Sequence, residues 1–128
     1  MKKLVLVAML ALGVVAAGSA QKKNVSLAKN KAMNTEAPDF EGAKTAIEAA
    51  LQDETTKDAA DTWYVAGLVY EKIVDNDIYK SMVGGTANAD LQGESAIKSH
   101  DYYVVAYDKD LQPNAKYFLA VSAYVEFE

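Results

Sequence analysis

The sequence predicts an all-α fold of antiparallel helical hairpins, on three observations. The segment Trp63-Tyr64-Val65-Ala66-Gly67-Leu68-Val69-Tyr70 places Trp63, Ala66, Gly67 and Tyr70 at offsets 0, 3, 4 and 7, which is one face of a helix. The same geometry recurs in Ala43, Ala46, Ile47 and Ala50, and again in Ser99, Tyr102, Tyr103 and Ala106. Strand-like alternation is scarce before residue 117, while polar or Gly/Pro-bearing breaks separate the striped segments, as in a helical class.

The N-terminus reads as a secretory signal peptide. Lys2 and Lys3 precede an uncharged apolar run from Leu4 to Ala17, and Gly18-Ser19-Ala20 supplies small residues for cleavage between Ala20 and Gln21. The run is shorter than the ~20 residues of a membrane-spanning helix. The expected location is therefore periplasmic or secreted. The mature chain, Gln21 to Glu128, is a single domain of a size that can bury a core unaided. It has no cysteine, so the disulfide staple of many small secreted domains is missing and apolar packing must supply stability.

Four helices follow in order. The first covers about Ser26 to Met33 and is interrupted by Asn34 to Pro38. The second, rich in alanine, covers Phe40 to Gln52 and ends at the polar stretch Asp53 to Lys57. The third begins near Asp58 or Ala59 and runs to about Asp77. Thr55 or Thr56 is expected to cap it, with Asp58 and Asp61 favouring the helix dipole. A glycine inside this helix costs about 1 kcal/mol relative to alanine, so Gly67 implies close approach by a second helix gripped by Trp63 and Tyr70. A loop about Gly84-Gly85, reaching Gly93, leads to a fourth helix from about Ser95 to Asp110, stopped by Gln112-Pro113-Asn114. Val83-Gly84-Gly85-Thr86 lacks a phosphate-loop lysine and reads as a hinge.

Trp63-x2-Ala66-Gly67-x2-Tyr70 resembles the first helix of a tetratricopeptide (TPR) repeat, whose signature is Trp-x2-Leu-Gly-x2-Tyr. Ala43-x3-Ile47-x2-Ala50 and Ser99-x3-Tyr103-x2-Ala106 resemble the family's second helix. Asp39-Phe40-Glu41-Gly42-Ala43 looks like the start of that helix, and Asp110-Leu111-Gln112-Pro113-Asn114 like its exit. The resemblance implies hairpins stacked as a short TPR-like α-solenoid over 21–115, with packing positions Ala43, Ile47, Ala50, Trp63, Ala66, Gly67, Tyr70, Ser99, Tyr103 and Ala106. The interval from Tyr70 to Ser99 exceeds the family's, which implies an insertion of about 20 residues over 77–93, either an inserted loop or a longer third helix plus a loop, since Ile78, Tyr79 and Met82 keep helical spacing from Val74. Asn34 also stands where the pattern has tyrosine. Lys116 to Glu128 is an atypical tail: Tyr117-x2-Ala120-Val121-x2-Tyr124 fits a further helix, and its aromatic and β-branched content equally fits a strand.

Composition narrows function. All 13 basic side chains are lysine, and losing Lys2 and Lys3 moves the formal charge from −5 to −7. Without arginine there is no planar fork for phosphates or base edges, so nucleic acid is not an expected partner. His100 is the only histidine and reads as a surface or satisfied side chain, so no His-based metal cluster and no cofactor are expected. Asp75-Asn76-Asp77 resembles the start of a calcium loop, but Lys80 and Thr86 occupy its glycine and glutamate positions. No enzyme chemistry is expected.

The resemblance implies a concave surface lined by first helices. On the third helix that selects Asp61, Tyr64, Leu68 and Glu71 as a peptide-binding groove. Tyr64 and Leu68 would form an apolar floor, and the two carboxylates would favour a basic or amide-rich peptide. Packing of Tyr64 and Leu68 on neighbouring helices is the competing reading. The family's terminal-carboxylate clamp is not expected, because Tyr64 and Leu68 stand where its lysine and asparagine belong. The leading functional expectation is an exported helical-repeat scaffold or adaptor that binds a protein or peptide in the cell envelope. Two others stay open: a structural or self-assembling fragment of a longer repeat array, forming a homo-oligomer, and a hydrolase using carboxylates such as Glu41 and Glu48.

Overall fold

The computed structural model of this protein describes residues 21–110. The expected signal peptide and the ambiguous tail lie outside them. The described residues form four helices and no strand: α1 over 21–32, α2 Phe40–Gln52, α3 Ala60–Met82 and α4 Ala89–Lys109.

Each helix end has a local cause. Asn34 closes the turn after α1, its Oδ1 accepting from the N–H groups of Glu36 and Ala37 at 3.0 and 3.1 Å. Asp39 then caps α2. One carboxylate oxygen accepts from the Gly42 N–H at 2.9 Å, and the other takes the Lys31 ammonium, tying the two helices of the first hairpin. The hydrogen bond from Lys31, followed by that from Gly42, holds the Asp39 carboxyl below its ordinary range.

Expectation and structure part at the start of α3. Neither Thr55 nor Thr56 caps it; its N-cap is Ala59, without a side-chain cap. Thr56 belongs instead to the end of α2. It is buried, and its hydroxyl donates to the Ala50 carbonyl at 2.6 Å, satisfying an acceptor that helix termination leaves open. Thr55 folds back on Asp53, its N–H donating to Oδ1 at 2.8 Å.

The connection between α3 and α4 is shorter than an unbroken loop over 77–93, and the longer third helix is the form taken. Helix α3 continues to Met82, and α4 begins at Ala89 and carries Gly93 inside it. Gly84 (φ +94°) is the stop signal for α3. The Gly85 N–H donates to the Lys80 carbonyl at 2.8 Å and the Gly84 N–H to that of Ser81 at 3.4 Å, the paired bonds of a left-handed C-cap. The two glycines are thus the terminator of a helix. Asn88 starts the next one, its Oδ1 accepting from the Leu91 N–H at 3.0 Å. Asp77, only 6% exposed, bridges the two ends: its Oδ2 accepts from the Asn88 N–H at 2.8 Å and from Gln92 Nε2 at 2.7 Å.

One apolar cluster joins the helices. Val25, Ala28 and Ala32 of α1 meet Ala43, Ala46, Ile47 and Ala50 of α2, and Val65, Ala66, Val69, Tyr70 and Ile73 of α3. The alanine content lets backbones approach closely. Helix α3 packs against α2 and more extensively along α4, so its middle, Val65 to Tyr70, is buried without a break.

Candidate functional site

The contact between α3 and α4 is built on the Trp63–Tyr70 segment. Tyr102 of α4 inserts between Trp63 and Tyr70, with ring centroids 5.9 and 5.7 Å away, tilted in both cases. Beside it, the Tyr103 ring lies flat over Gly67. A Cβ at Gly67 would sit 2.6 Å from Tyr103 Cδ1, which is why this helix position holds no side chain. The Ser99 hydroxyl donates to the Gly67 carbonyl at 2.9 Å, a bond that only close approach of the two backbones allows. Trp63 is half-buried, and its indole N–H donates to the Lys57 carbonyl at 2.6 Å. Ala43, Ile47, Ala50, Ala66, Gly67, Tyr70, Ser99, Tyr103 and Ala106 are all buried.

Asp61, Tyr64, Leu68 and Glu71 do not together present an open floor. Leu68 is only 7% exposed. Tyr64 turns its ring toward Tyr103, centroids 5.6 Å apart, and the Tyr103 hydroxyl donates a hydrogen bond to Glu71 Oε2. Asp61 alone of the four is exposed. The competing reading, that Tyr64 and Leu68 serve packing, accounts for this arrangement, because the aromatic pair at Tyr102-Tyr103 draws both α3 faces it touches into the interior.

The stripe continues, however. Asp75 and Tyr79 follow Leu68 by 7 and 11 residues and reach a groove of about 400 Å³. Its far wall is the end of α1 and the turn into α2, with Ala32, Met33, Pro38 and Phe40 as apolar lining. Asn34, Asn76 and the Lys72–Asp75 ion pair (2.7 Å) supply the polar groups. The hydrogen bond from Lys72 to Asp75 holds the Lys72 ammonium above its usual range. Tyr79 is 64% exposed. The sequence offered one signal for this groove, the helical spacing from Leu68, but no sequence pattern pairs α3 with Met33 and Pro38.

A second, polar cleft of about 250 Å³ lies among α2, α3 and α4. Glu41, Glu48 and Glu94 line it with Lys44, Lys98 and Tyr70. Four of its charged groups are engaged. Glu41 pairs with Lys44 at 2.6 Å, Glu48 accepts the Tyr70 hydroxyl at 2.7 Å, and Lys98 lies 4.9 Å over the Tyr70 ring. Burial, and then the Glu48 carboxylate, push the Tyr70 hydroxyl far above its ordinary range; burial also raises Tyr102. Both phenols stay protonated at neutral pH and hold the helices together. His100 sits half-exposed, 3.3 Å from Asp101. No cluster of three or more His, Cys, Asp or Glu capable of holding a metal occurs among the described residues, and no described helix is long and apolar enough to cross a membrane. No family model, no curated protein and no solved structure matches the chain.

Proposed function

We propose that this protein is an exported helical-repeat scaffold of TPR-like, solenoid design that binds a peptide segment of a partner protein in the cell envelope. The apolar groove between the first hairpin and the second half of α3 carries this reading. Met33, Pro38, Phe40 and Tyr79 offer apolar surface there, and Asn34, Asn76 and Asp75 offer donors and acceptors for a peptide backbone, the mixture expected of a binding cleft. The chain is acidic, so the fitting occupant is an apolar segment flanked by basic residues. Export rests on the charged start, apolar run and small-residue cleavage site of residues 1–20, and the repeat reading on the stripes at Ala43, Trp63 and Ser99.

A photo-crosslinking side chain at Tyr79 tests the binding role in cells. A discrete adduct is expected at Tyr79, absent when the probe sits at exposed Ala49 on α2 and lost when Met33→Asp is added. The same adducts from both probes, or capture indifferent to Met33→Asp in a chain of unchanged helicity, overturns it.

A further inference from the structure

Charge is unevenly distributed over the helices. Residues 21–35 carry Lys22, Lys23, Lys29 and Lys31 and no carboxylate. Lys31 is committed to Asp39, but no carboxylate of the described residues pairs with Lys22, Lys23 or Lys29. All three are exposed. Leu27 is 45% exposed, in a shallow depression of about 470 Å³ lined by Lys22, Lys23, Asn24, Ser26 and Asn30; Lys29, two residues on, projects from the other side of the helix. Helix α4 carries the opposite pattern. Ile97 is 65% exposed, and Asp90, Glu94 and Asp101, at −7, −3 and +4 from it, share its face. Lys98, the basic residue beside them, is turned toward Tyr70.

Helix α3 packs on α4 through Trp63, Tyr64, Gly67 and Tyr70 and lines a groove with the end of α1 through Lys72, Asn76 and Tyr79, so α1 and α4 flank α3 on different sides. Pairing α1 with α1, or α4 with α4, across a two-fold axis would oppose like charges.

We propose that the chain associates head to tail with further copies of itself, the basic face of α1 about Leu27 seating on the acidic face of α4 about Ile97 in the next copy. Each contact places one aliphatic side chain from either side beside opposite charges. Lys22 and Lys23 meet the carboxylates of Asp90, Glu94 and Asp101, and Leu27 meets Ile97. Such a contact is heterologous, so one copy leaves an unused α1 face at one end and an unused α4 face at the other, and the assembly grows as a stack. Its attraction is largely between exposed charges, which salt screens.

Sedimentation velocity of the mature chain, Gln21 to Glu128, from about 10 µM to about 1 mM tests this. The expected result is a mean mass that rises with concentration at low salt, with an association constant at least about tenfold lower at about 0.5 M salt. Neutralising one face (K22Q/K23Q) or the other (E94Q/I97S/D101N) is expected to leave a monomer of unchanged helicity. Mixing the two variants is decisive: each keeps one intact face, so the mixture forms pairs and nothing larger. A monomer at every concentration, association indifferent to salt and to both variants, or a mixture without pairs overturns the proposal.

Discussion

Gly67 shows how a single missing side chain sets an interface. Alanine there would gain about 1 kcal/mol of helix propensity, yet its Cβ would meet the Tyr103 ring at 2.6 Å. That ring is buried between helices and cannot swing away, so overpacking prevails. Gly67→Ala is expected to destabilise by about 1–3 kcal/mol in urea unfolding; a gain in stability would mean that the ring does not cover the glycine. Ser99→Ala removes the donor to the Gly67 carbonyl, which keeps its helical partner, so the expected loss is that of one buried hydrogen bond, about 0.5–1.5 kcal/mol. Trp63 is a different case. The sequence places it among the packing positions, and the structure leaves it half-exposed, held by Tyr102, the Lys57 carbonyl and the Lys109 ammonium 5.7 Å over its ring. Trp63→Ala therefore belongs at the lower end of the range for large aromatic truncations, about 3 kcal/mol, read by thermal and urea unfolding.

At the level of elements, helix limits depend on caps more than on periodicity. The Phe40–Gln52 helix matches its expected limits because Asp39 and Asp53, both visible in the sequence, flank it. The third and fourth helices outrun theirs, because Gly84 and Asn88 are the working terminator and initiator. The break assigned to the neighbourhood of Gly93 does not occur: the glycine is exposed, but its neighbours Leu91 and Ser95 pack inward and keep the segment helical. Gly84→Ala forces a side chain into a left-handed backbone and is expected to cost about 1–2 kcal/mol, measured by chemical denaturation; a neutral result would mean that the α3 end relaxes freely. The Asp77 bridge adds a pH dependence. Hydrogen bonds from the Asn88 N–H, then Gln92, lower the Asp77 carboxyl below its ordinary value near 3.8. A lowered carboxyl stabilises the fold at pH above the unfolded value and loses that contribution as pH falls through the folded one. Asp39 and Asp53 are lowered as well and act in the same direction. The melting temperature is expected to fall below about pH 4, with a shallower fall in Asp77→Asn, which keeps an acceptor but does not titrate. A parallel fall in both chains would remove Asp77 from the account.

For the whole molecule, one apolar cluster spanning α1, α2 and α3, with α4 locked to α3 by interleaved aromatic rings, implies cooperative unfolding. Trp63 fluorescence and helical circular dichroism should lose signal at the same denaturant concentration; separated transitions would show that α4 detaches on its own. Much of this plan is legible in the chain, since the stripes at Ala43, Trp63 and Ser99 sit at helical spacing and each marks a face that is buried. The candidate groove is less legible. Its near wall follows from the spacing of Asp75 and Tyr79 behind Leu68, whereas Met33 and Pro38 reach it only through the turn that Asn34 and Asp39 close. The amino-acid order alone determined the all-helical class, the alanine-rich second helix and the need for a close neighbour at Gly67, because these follow from periodicity and local backbone preference. Only the tertiary structure decided that Leu68 is covered, that Thr56 finishes one helix instead of starting another, and that Lys72 and Tyr79 face the first hairpin. Burial and partner choice depend on residues far away in sequence, which no local spacing encodes.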